Sequence, residues 1–93
     1  MEKGILKKIG MKYIIIISNN KIRRWWYNKN YYPHRVDGPA FEHSCGDRYW
    51  YQNGKAHRVD GPALEYANGS KCWAIEGEEI TKEEFYEIQN KNK

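Results

Sequence analysis

The stretch His34-Arg35-Val36-Asp37-Gly38-Pro39-Ala40 returns without change as His57-Arg58-Val59-Asp60-Gly61-Pro62-Ala63, 23 residues further along a chain of 93. Self-similarity at a fixed period is typical of repeat architectures, in which each unit is one supersecondary element that packs on the next. The period therefore constrains the fold before any single residue is interpreted.

The repeat extends beyond this heptapeptide. Four further pairs of like residues also lie 23 positions apart: Glu42 with Glu65, Gly46 with Gly69, Arg48 with Lys71, and Trp50 with Trp73. Arg24 and Trp26 lie 24 positions before Arg48 and Trp50, which places one inserted residue between positions 28 and 33. A third unit begins at Lys71 and stops where Ile80 stands in place of the histidine.

Turn dipeptides within each unit indicate short antiparallel strands. Asn53-Gly54 and Asn68-Gly69 lie between aromatic-rich runs, and Cys45-Gly46 and Asn19-Asn20 are weaker equivalents. Such dipeptides supply the positive φ angles that tight hairpins need. We therefore predict strands near 12–18, 22–27, 40–43, 47–52, 63–67 and 71–75. The apolar run 13–17 is predicted to be buried on both faces or covered by residues 1–11.

The C-terminal segment has a different pattern. Thr81-Lys82-Glu83-Glu84 matches a capping box and predicts a helix from about 82 to 90 that caps the open end of the sheet. The predicted fold is mainly β (α+β), an antiparallel hairpin-repeat meander sheet with one short C-terminal capping helix. It forms a single domain over 1–93, with an N-terminal strand region (1–21), hairpin repeats of about 23 residues (22–80) and the capping helix (81–93).

The composition favours a soluble globular domain. The chain is 30% charged, 40% hydrophobic and 15% aromatic, with a net charge of +4. Its longest apolar run is too short to cross a membrane, and no secretory cleavage site follows it, so we expect a cytoplasmic protein without a membrane partner. The two cysteines are too few for a disulfide scaffold and are expected to be reduced. The basic balance is compatible with acidic partners, including nucleic acid.

The heptapeptide has two interpretations. Asp-Gly-Pro is turn chemistry, and each arginine can pair with the aspartate two positions later, so the stretch reads first as a structural corner. The predicted turn residues are Asp37, Gly38, Pro39, Asp60, Gly61 and Pro62. Alternatively, His34, Arg35, His57 and Arg58 line one edge of the sheet and bind phosphate.

The sequence offers no catalytic constellation, so we expect no enzyme. A translational repeat presents the same environment twice, whereas catalysis normally needs unlike groups in unlike environments. His34, Cys45, His57 and Cys72 lack the short ligand spacings of zinc sites, and Cys72 is predicted to be a buried thiol. Neither a metal nor a cofactor is predicted.

A second pattern pairs a basic residue with a tryptophan on successive strands. The pairs are Arg24 with Trp26, Arg48 with Trp50, and Lys71 with Trp73, and period-two alternation puts each pair on one face. This face is either a core stripe with basic side chains at its margin or an exposed platform on which bases stack. Tyr49, Tyr51, Cys72 and Ala74 belong to the opposite face, and one of the two faces is expected to be free for a partner.

The amino-acid sequence of the repeat resembles known repeat families. The stretch Trp50-Tyr51-Gln52-Asn53-Gly54-Lys55 with further Asn-Gly hairpins looks like the variant MORN repeats of bacterial antitoxin-like proteins. The doubled heptapeptide resembles a hairpin repeat of uncharacterised proteins from bacteriophages and large DNA viruses. The resemblance covers about residues 23–80 and implies a curled hairpin sheet without enzymatic activity. It also implies a phage or mobile-element origin, where small proteins often bind and neutralise host defences such as CRISPR nucleases.

These observations lead to one functional expectation and two alternatives. We expect a non-catalytic binding module that inhibits a host protein, either alone or as part of a nucleoprotein complex. The first alternative is nucleic-acid binding through Arg24, Trp26, Arg48, Trp50, Lys71 and Trp73. The second is nucleotide sequestration by His34, Arg35, His57 and Arg58. The oligomeric state is left open by the sequence.

Overall fold

The computed structural model describes the backbone of residues 2–8 and 11–12 and the complete residues 13–91. Ten strands and one helix follow each other along this part of the chain: β1 (Glu2–Lys8), β2 (Met11–Ser18), β3 (Lys21–Asn28), β4 (Phe41–His43), β5 (Arg48–Tyr49), β6 (Tyr51–Gln52), β7 (Lys55–Ala56), β8 (Leu64–Glu65), β9 (Lys71–Ile75), β10 (Glu78–Ile80) and α1 (Lys82–Lys91).

Eight of the ten described strands form one antiparallel meander sheet. The order across the sheet is β1-β2-β3-β4-β5-β8-β9-β10, and β6 and β7 form a separate two-stranded hairpin. The molecule measures 44 × 31 × 18 Å along its principal axes, as a sheet with little packed above or below it would. The predicted fold class, a mainly β meander of hairpins with a short C-terminal helix, is confirmed.

Two-residue turns close three of the hairpins. Both central residues have positive φ at Asn19-Asn20 (52° and 62°), Asn53-Gly54 (50° and 84°) and Glu76-Gly77 (49° and 86°). This pair of angles defines a type I′ turn, whose twist matches that of the flanking strands. The first two turns were predicted, whereas Glu76-Gly77 was not recognised because glutamate is uncommon at positive φ.

The inserted residue lengthens one loop. In the first unit, the Asn28 N–H donates to the Tyr32 carbonyl at 2.9 Å, and three residues lie between them. In the second unit, Gln52 pairs with Lys55, and only two residues lie between them. The extra position is accommodated by a positive φ of 66° at Tyr31. The insertion therefore lies within the range that the sequence indicated.

The predicted strand 47–52 is wrong as a single element, because it divides at Trp50 into β5 and β6. The Trp50 N–H donates to the Ala63 carbonyl at 2.7 Å, whereas its carbonyl accepts from the His57 N–H at 3.0 Å. Trp26 has the same arrangement, since its N–H donates to the Ala40 carbonyl (2.8 Å) and its carbonyl accepts from His34 (2.9 Å). Each tryptophan thus marks the point where the chain leaves one pairing partner for another, and this also creates β7, which was not predicted.

The N-terminal strands lie side by side. β1 pairs with β2 from Glu2 opposite Ile17 to Lys8 opposite Met11, so it extends the sheet laterally. Ile17 is 37% exposed, and the other isoleucines of the run are partly exposed. The prediction that 13–17 is buried on both faces is therefore wrong. Residues 1, 9 and 10 of the N-terminal region lie outside the described part of the chain.

The helix begins at the predicted capping box. The Thr81 N–H donates to Glu84 Oε1 at 2.8 Å, and the Glu84 N–H donates to Thr81 Oγ1 at 3.0 Å. The helix does not cover the open end of the sheet as predicted, because β10 forms that edge and Phe85 of α1 packs on Trp73 in the neighbouring strand β9. Residues 92–93 of the predicted helical region lie outside the described residues. Among the described helical residues, no segment is long and apolar enough to cross a membrane.

Little of the described chain is fully buried. Its hydrophobic core consists of five residues, Ala40, Phe41, Ala63, Ala74 and Phe85. The other aromatic side chains of the strands keep some exposed surface on one face of the sheet or the other. Because the core is this small, side-chain contacts on the two faces of the sheet decide both stability and function.

Candidate binding surfaces

The arginine of the heptapeptide stacks on the tryptophan of its own unit. In the second copy, Arg58 Cζ lies 3.8 Å from the centre of the Trp50 ring. Its Nε donates to Asp60 Oδ1 at 2.9 Å, and its Nη1 lies 3.1 Å from the Pro62 carbonyl and 3.3 Å from Glu65 Oε2. The planar guanidinium therefore combines a cation–π contact with three acceptors.

The first copy repeats this geometry. Arg35 Cζ lies 4.0 Å from the centre of the Trp26 ring, and Nε donates to Asp37 Oδ1 at 3.0 Å. Nη1 donates to the Pro39 carbonyl at 3.2 Å. Only 24% of the Arg35 side chain and 21% of the Arg58 side chain are exposed. Both arginines are thus engaged by their own loops, and anion binding at these positions remains a prediction that this arrangement does not favour.

The histidines join each unit to the next. His34 Nδ1 accepts the Asn53 N–H at 3.0 Å, and His57 Nδ1 accepts the Glu76 N–H at 2.9 Å. Asn53 and Glu76 are the first residues of type I′ turns, so their amides point away from their own hairpins. Each histidine therefore fixes the turn of the following unit.

Most of the remaining residues of the heptapeptide pack closely within the unit. A Cβ on Gly61 would lie 2.8 Å from Arg58 Cζ, and a Cβ on Gly38 would lie 3.0 Å from Arg35 Cζ. Ala40 and Ala63 are 0% exposed. Val36 and Val59 have no evident structural role, since they are 72% and 59% exposed. Residues of both copies line one open pocket together with Trp50 and Gln52.

The six basic and tryptophan residues singled out from the sequence do share one face, here called the tryptophan face. The register places Arg24 opposite Glu42, Glu42 opposite Arg48, Arg48 opposite Glu65, and Glu65 opposite Lys71. Arg48 Nη1 lies 3.9 Å from Glu65 Oε1. The basic residues therefore belong to a row of alternating charge, in which each carboxylate offsets the positive field that would attract phosphates.

The rings of the tryptophan face are already in contact with other side chains. Trp26 packs against Tyr13, with ring centres 4.4 Å apart, as well as against Arg35. Trp73 belongs to the third unit, which lacks the arginine, and Phe85 of α1 packs there with ring centres 6.3 Å apart. The helix thus replaces the missing third heptapeptide. Base stacking on these rings would need the arginines to move.

The opposite face of the sheet carries a continuous aromatic cluster. Trp25 lies at its centre, with ring centres 4.4 Å from Phe41, 6.0 Å from Tyr27 and 6.5 Å from Tyr51. Tyr49 packs on Phe41 at 4.9 Å and on Tyr66 at 5.7 Å. We call this set the aromatic face: Trp25, Tyr27, Phe41, Tyr49, Tyr51 and Tyr66.

The aromatic face is only partly covered. Phe41 is buried at 6% exposure, Tyr66 is 37% exposed, and the other members are partly exposed. α1 is the only helix in the described residues, and its Phe85 packs on the tryptophan face. Partial burial raises the pKa of Tyr27, Tyr51 and Tyr49, and the nearby Asp47 carboxylate raises that of Tyr49 further. The tyrosines are therefore neutral at physiological pH and present a polar hydroxyl on an apolar ring.

The sequence interpretation found this face only in part. It assigned Tyr49, Tyr51, Cys72 and Ala74 to the side opposite the tryptophans, but it did not single out Trp25 or Phe41. The sequence contained part of the signal for this face, since Trp25 is adjacent to Trp26 in the strand and therefore lies on the opposite side of the sheet. In the structure, the register places Phe41 between Trp25 and Tyr49. Recognising it required strand pairing across the insertion, which the sequence alone did not supply.

The cysteines and histidines do not converge. Cys45 is an exposed free thiol, and His43 Nδ1 accepts its backbone N–H at 2.9 Å. Cys72 is also free, and the thiol that was predicted to be buried is only partly so. No group of three or more potential metal-ligating side chains occurs among residues 13–91.

The Cys72 thiol is held in its neutral form. Its Sγ donates to Glu79 Oε2 at 2.8 Å, and this hydrogen bond, together with partial burial and the negative charge, raises the pKa of the thiol. A raised pKa stabilises the protonated thiol in the fold. Its contribution is present below the pKa of the unfolded chain and is lost as the pH rises through the folded value.

We expect Glu79→Gln to speed the reaction of Cys72 with a disulfide reagent at pH 8 severalfold. The substitution removes the carboxylate that disfavours the thiolate, and the thiolate is the nucleophile. Labelling followed by peptide mass spectrometry measures both cysteines, and exposed Cys45 provides the internal control. An unchanged Cys72 rate beside an unchanged Cys45 rate would contradict the role of Glu79.

Comparison with known proteins adds no assignment: neither a family model, nor a curated protein, nor a solved structure matches this chain.

Proposed function

We propose that this chain is a non-catalytic protein-binding module that docks on its partner through the aromatic face. The observation that carries the proposal is a cluster of six touching aromatic side chains on a sheet face that the only described helix does not cover. Tryptophan and tyrosine are enriched at protein interfaces and dominate their binding energy. A single sheet with one such face gains further burial by docking on a second protein surface.

The charge of this face suits a protein partner better than nucleic acid. The aromatic side chains are neutral, and the charged row lies on the opposite face. The tyrosine hydroxyls can hydrogen-bond at the rim while the rings exclude water, which is the usual use of tyrosine at interfaces. These features support docking against a mixed apolar and polar surface.

We further propose that the partner is a host defence protein, which the module inhibits by binding. The support is the resemblance of the doubled heptapeptide to phage and viral repeats, together with small size and the absence of any catalytic constellation in the sequence. Inhibition by occlusion requires a binding surface but no chemistry, and the aromatic face is the surface proposed for it. The functional measurement for this proposal is the plating efficiency of a phage on a bacterial host that carries the defence system and expresses the chain.

Nucleic-acid binding through the tryptophan face is the alternative, and it is favoured only by the positive net charge of +4. It requires a mobility shift on single-stranded DNA that weakens steeply with salt. Arg48→Glu should abolish that shift, since the Arg48 side chain is 58% exposed. A shift that weakens steeply as the salt concentration is raised and that disappears in the variant would favour this alternative over the aromatic face.

The decisive experiment is affinity capture from a bacterial lysate with matched surface variants. Tyr27→Lys and Tyr66→Lys each place a charge on the aromatic face, and Tyr86→Lys places one on the helix, where Tyr86 is 52% exposed. We expect one captured protein to fall at least about tenfold with either face variant, because a buried unpaired lysine costs more than about 1.4 kcal/mol. The helix variant should retain that protein.

The thermal midpoints of all three variants provide the control for folding. If the captured protein is retained by the two face variants, or lost equally with the helix variant, docking through the aromatic face is excluded.

A further inference from the structure

The third repeat lacks a strand that the first two possess. In each complete unit, a short strand follows the heptapeptide and pairs on both sides: β4 lies between β3 and β5, and β8 lies between β5 and β9. β9 is the next strand in this series, but the segment after its hairpin becomes α1. No third strand of this kind exists in the described residues.

This leaves part of β9 open on one side. β8 pairs with Lys71 and Cys72 on one side, and β10 pairs only with Trp73, Ala74 and Ile75 on the other. On the β10 side, Lys71 and Cys72 therefore have no partner strand within the described part of the chain. An unpaired edge of this kind can accept an extended segment by strand addition.

The two existing strands show what such a segment must contain. A fully buried alanine directly precedes each strand, and the strand itself starts with an apolar residue followed by glutamate: Ala40-Phe41-Glu42 and Ala63-Leu64-Glu65. Phe41 lies opposite Trp25 and Leu64 lies opposite Tyr49, while the glutamates lie opposite Arg24 and Arg48. The equivalent positions of β9 are Cys72 for the apolar residue and Lys71 for the acid.

The positive charge of Lys71 at the open edge favours a carboxylate at the opposite position of the added strand. The row of alternating charge runs from Arg24 through Glu42, Arg48 and Glu65 and ends at Lys71. Lys71 is exposed and forms no ion pair with the described residues within 4.0 Å. A carboxylate on an added strand would continue the alternation, whereas a basic residue there would face Lys71 directly.

The helix does not occupy this position. It begins at Lys82, after the single residue Thr81 that follows β10, and Phe85 lies against the ring of Trp73 on the tryptophan face. The side chain of Gln89 reaches the carbonyl of Val59, so the helix lies towards the second heptapeptide. It covers a face of β9 but supplies no strand beside Lys71.

We propose that the open edge at Lys71 and Cys72 binds an extended segment of a partner protein with the pattern small, apolar, acidic. The added strand pairs antiparallel to β9, places its apolar residue opposite Cys72 and its carboxylate opposite Lys71. Lys71 and Cys72 are not among the six residues of the aromatic face, and strand addition uses the backbone edge of β9, so the inference goes beyond the proposed function and does not depend on it.

The test uses a peptide with the sequence of residues 60–67, Asp-Gly-Pro-Ala-Leu-Glu-Tyr-Ala, capped at both ends. It is titrated into the ¹⁵N-labelled full chain, and amide shifts are followed by NMR. We expect the shifts to be concentrated at residues 70–73. A peptide with Lys in place of Glu should bind about five- to tenfold more weakly, since opposite and like charges across strands differ by about 1 kcal/mol or more.

Charge-swap variants of the chain complete the test. Lys71→Glu should reverse the preference between the two peptides, and Lys71→Gln should remove it. Both substitutions are at an exposed position, and the unchanged remainder of the amide spectrum reports that the fold is retained. Tyr27→Lys on the aromatic face should leave the titration unaltered, which separates this inference from the proposed function.

Three outcomes would overturn the proposal. The first is an absence of shifts at residues 70–73 at millimolar peptide. The second is a peptide preference that does not respond to the charge at position 71. The third is concentration-dependent broadening at residues 71–72 without any peptide, which would identify the occupant as a second copy of this chain.

Discussion

Replacing Phe41 by alanine is expected to lower the free energy of unfolding by about 3–5 kcal/mol, the usual cost of truncating a buried phenylalanine. Phe41 is 6% exposed and lies between the rings of Trp25 (4.4 Å) and Tyr49 (4.9 Å). Phe41 is one of only two large side chains among the five members of the described core. Because small domains are stable by about 5–15 kcal/mol, this change is expected to remove a large share of the total stability.

The repeat supplies the matched control for this substitution. Leu64 is the equivalent of Phe41 in the second unit, so Phe41→Leu places a residue that the architecture already accepts. It should cost less than about 1.5 kcal/mol. Urea unfolding followed by tryptophan fluorescence measures both variants. Similar midpoints for Phe41→Ala and the unmodified chain would show that the aromatic face contributes little to stability.

The second large effect concerns Arg58, whose replacement by alanine should cost about 2–4 kcal/mol. The loss includes the stacking on Trp50 at 3.8 Å and the hydrogen bonds to the Pro62 carbonyl and Glu65. The contact with Asp60 adds little, because 80% of the Asp60 side chain is exposed. Arg58→Lys should recover only a minor part of the lost stability, since a lysine ammonium cannot stack on the ring and donate several hydrogen bonds in one plane as a guanidinium does.

Gly61→Ala tests the same contacts of Arg58 by changing a residue that packs against its guanidinium. Its Cβ would lie 2.8 Å from Arg58 Cζ, so the guanidinium must leave its position. The substitution should destabilise the chain by about 1–3 kcal/mol alone and should be nearly neutral in the Arg58→Ala background, because the two changes remove one interaction. Additive costs in this double-mutant cycle, measured by urea unfolding, would contradict the packing of Gly61 beneath Arg58. Val59→Ala, at a 59% exposed position, is the neutral reference.

The heptapeptide is therefore a corner whose residues are occupied in forming it. The arginine stacks within its own unit, the histidine fixes the following turn, and the glycine and alanine leave the space that these contacts need. Val36 and Val59 are the exceptions, since both are exposed. Repetition of the whole stretch follows from repetition of the architecture, which also explains why α1 and Phe85 are needed where the third copy is missing.

Much of the architecture was determined by the sequence alone. Turn dipeptides at Asn19-Asn20 and Asn53-Gly54, the capping box at Thr81 and the 23-residue period are local features, and each acts through the conformational preferences of a few adjacent residues. The position of the inserted residue and the shared face of the tryptophans follow from the period and from alternation. These predictions needed no knowledge of which strands pair.

Only the tertiary structure decided the partners across the sheet. The division of the strand at Trp50, the stacking of Arg58 on that ring and the aromatic cluster around Phe41 depend on contacts between residues far apart in the chain. An arginine beside an aspartate in the sequence is equally compatible with a free cation and with one enclosed by a ring and carbonyls. Long-range pairing selects between these states, because it fixes which groups lie within hydrogen-bonding distance, and it therefore decides which face of the sheet remains available to a partner.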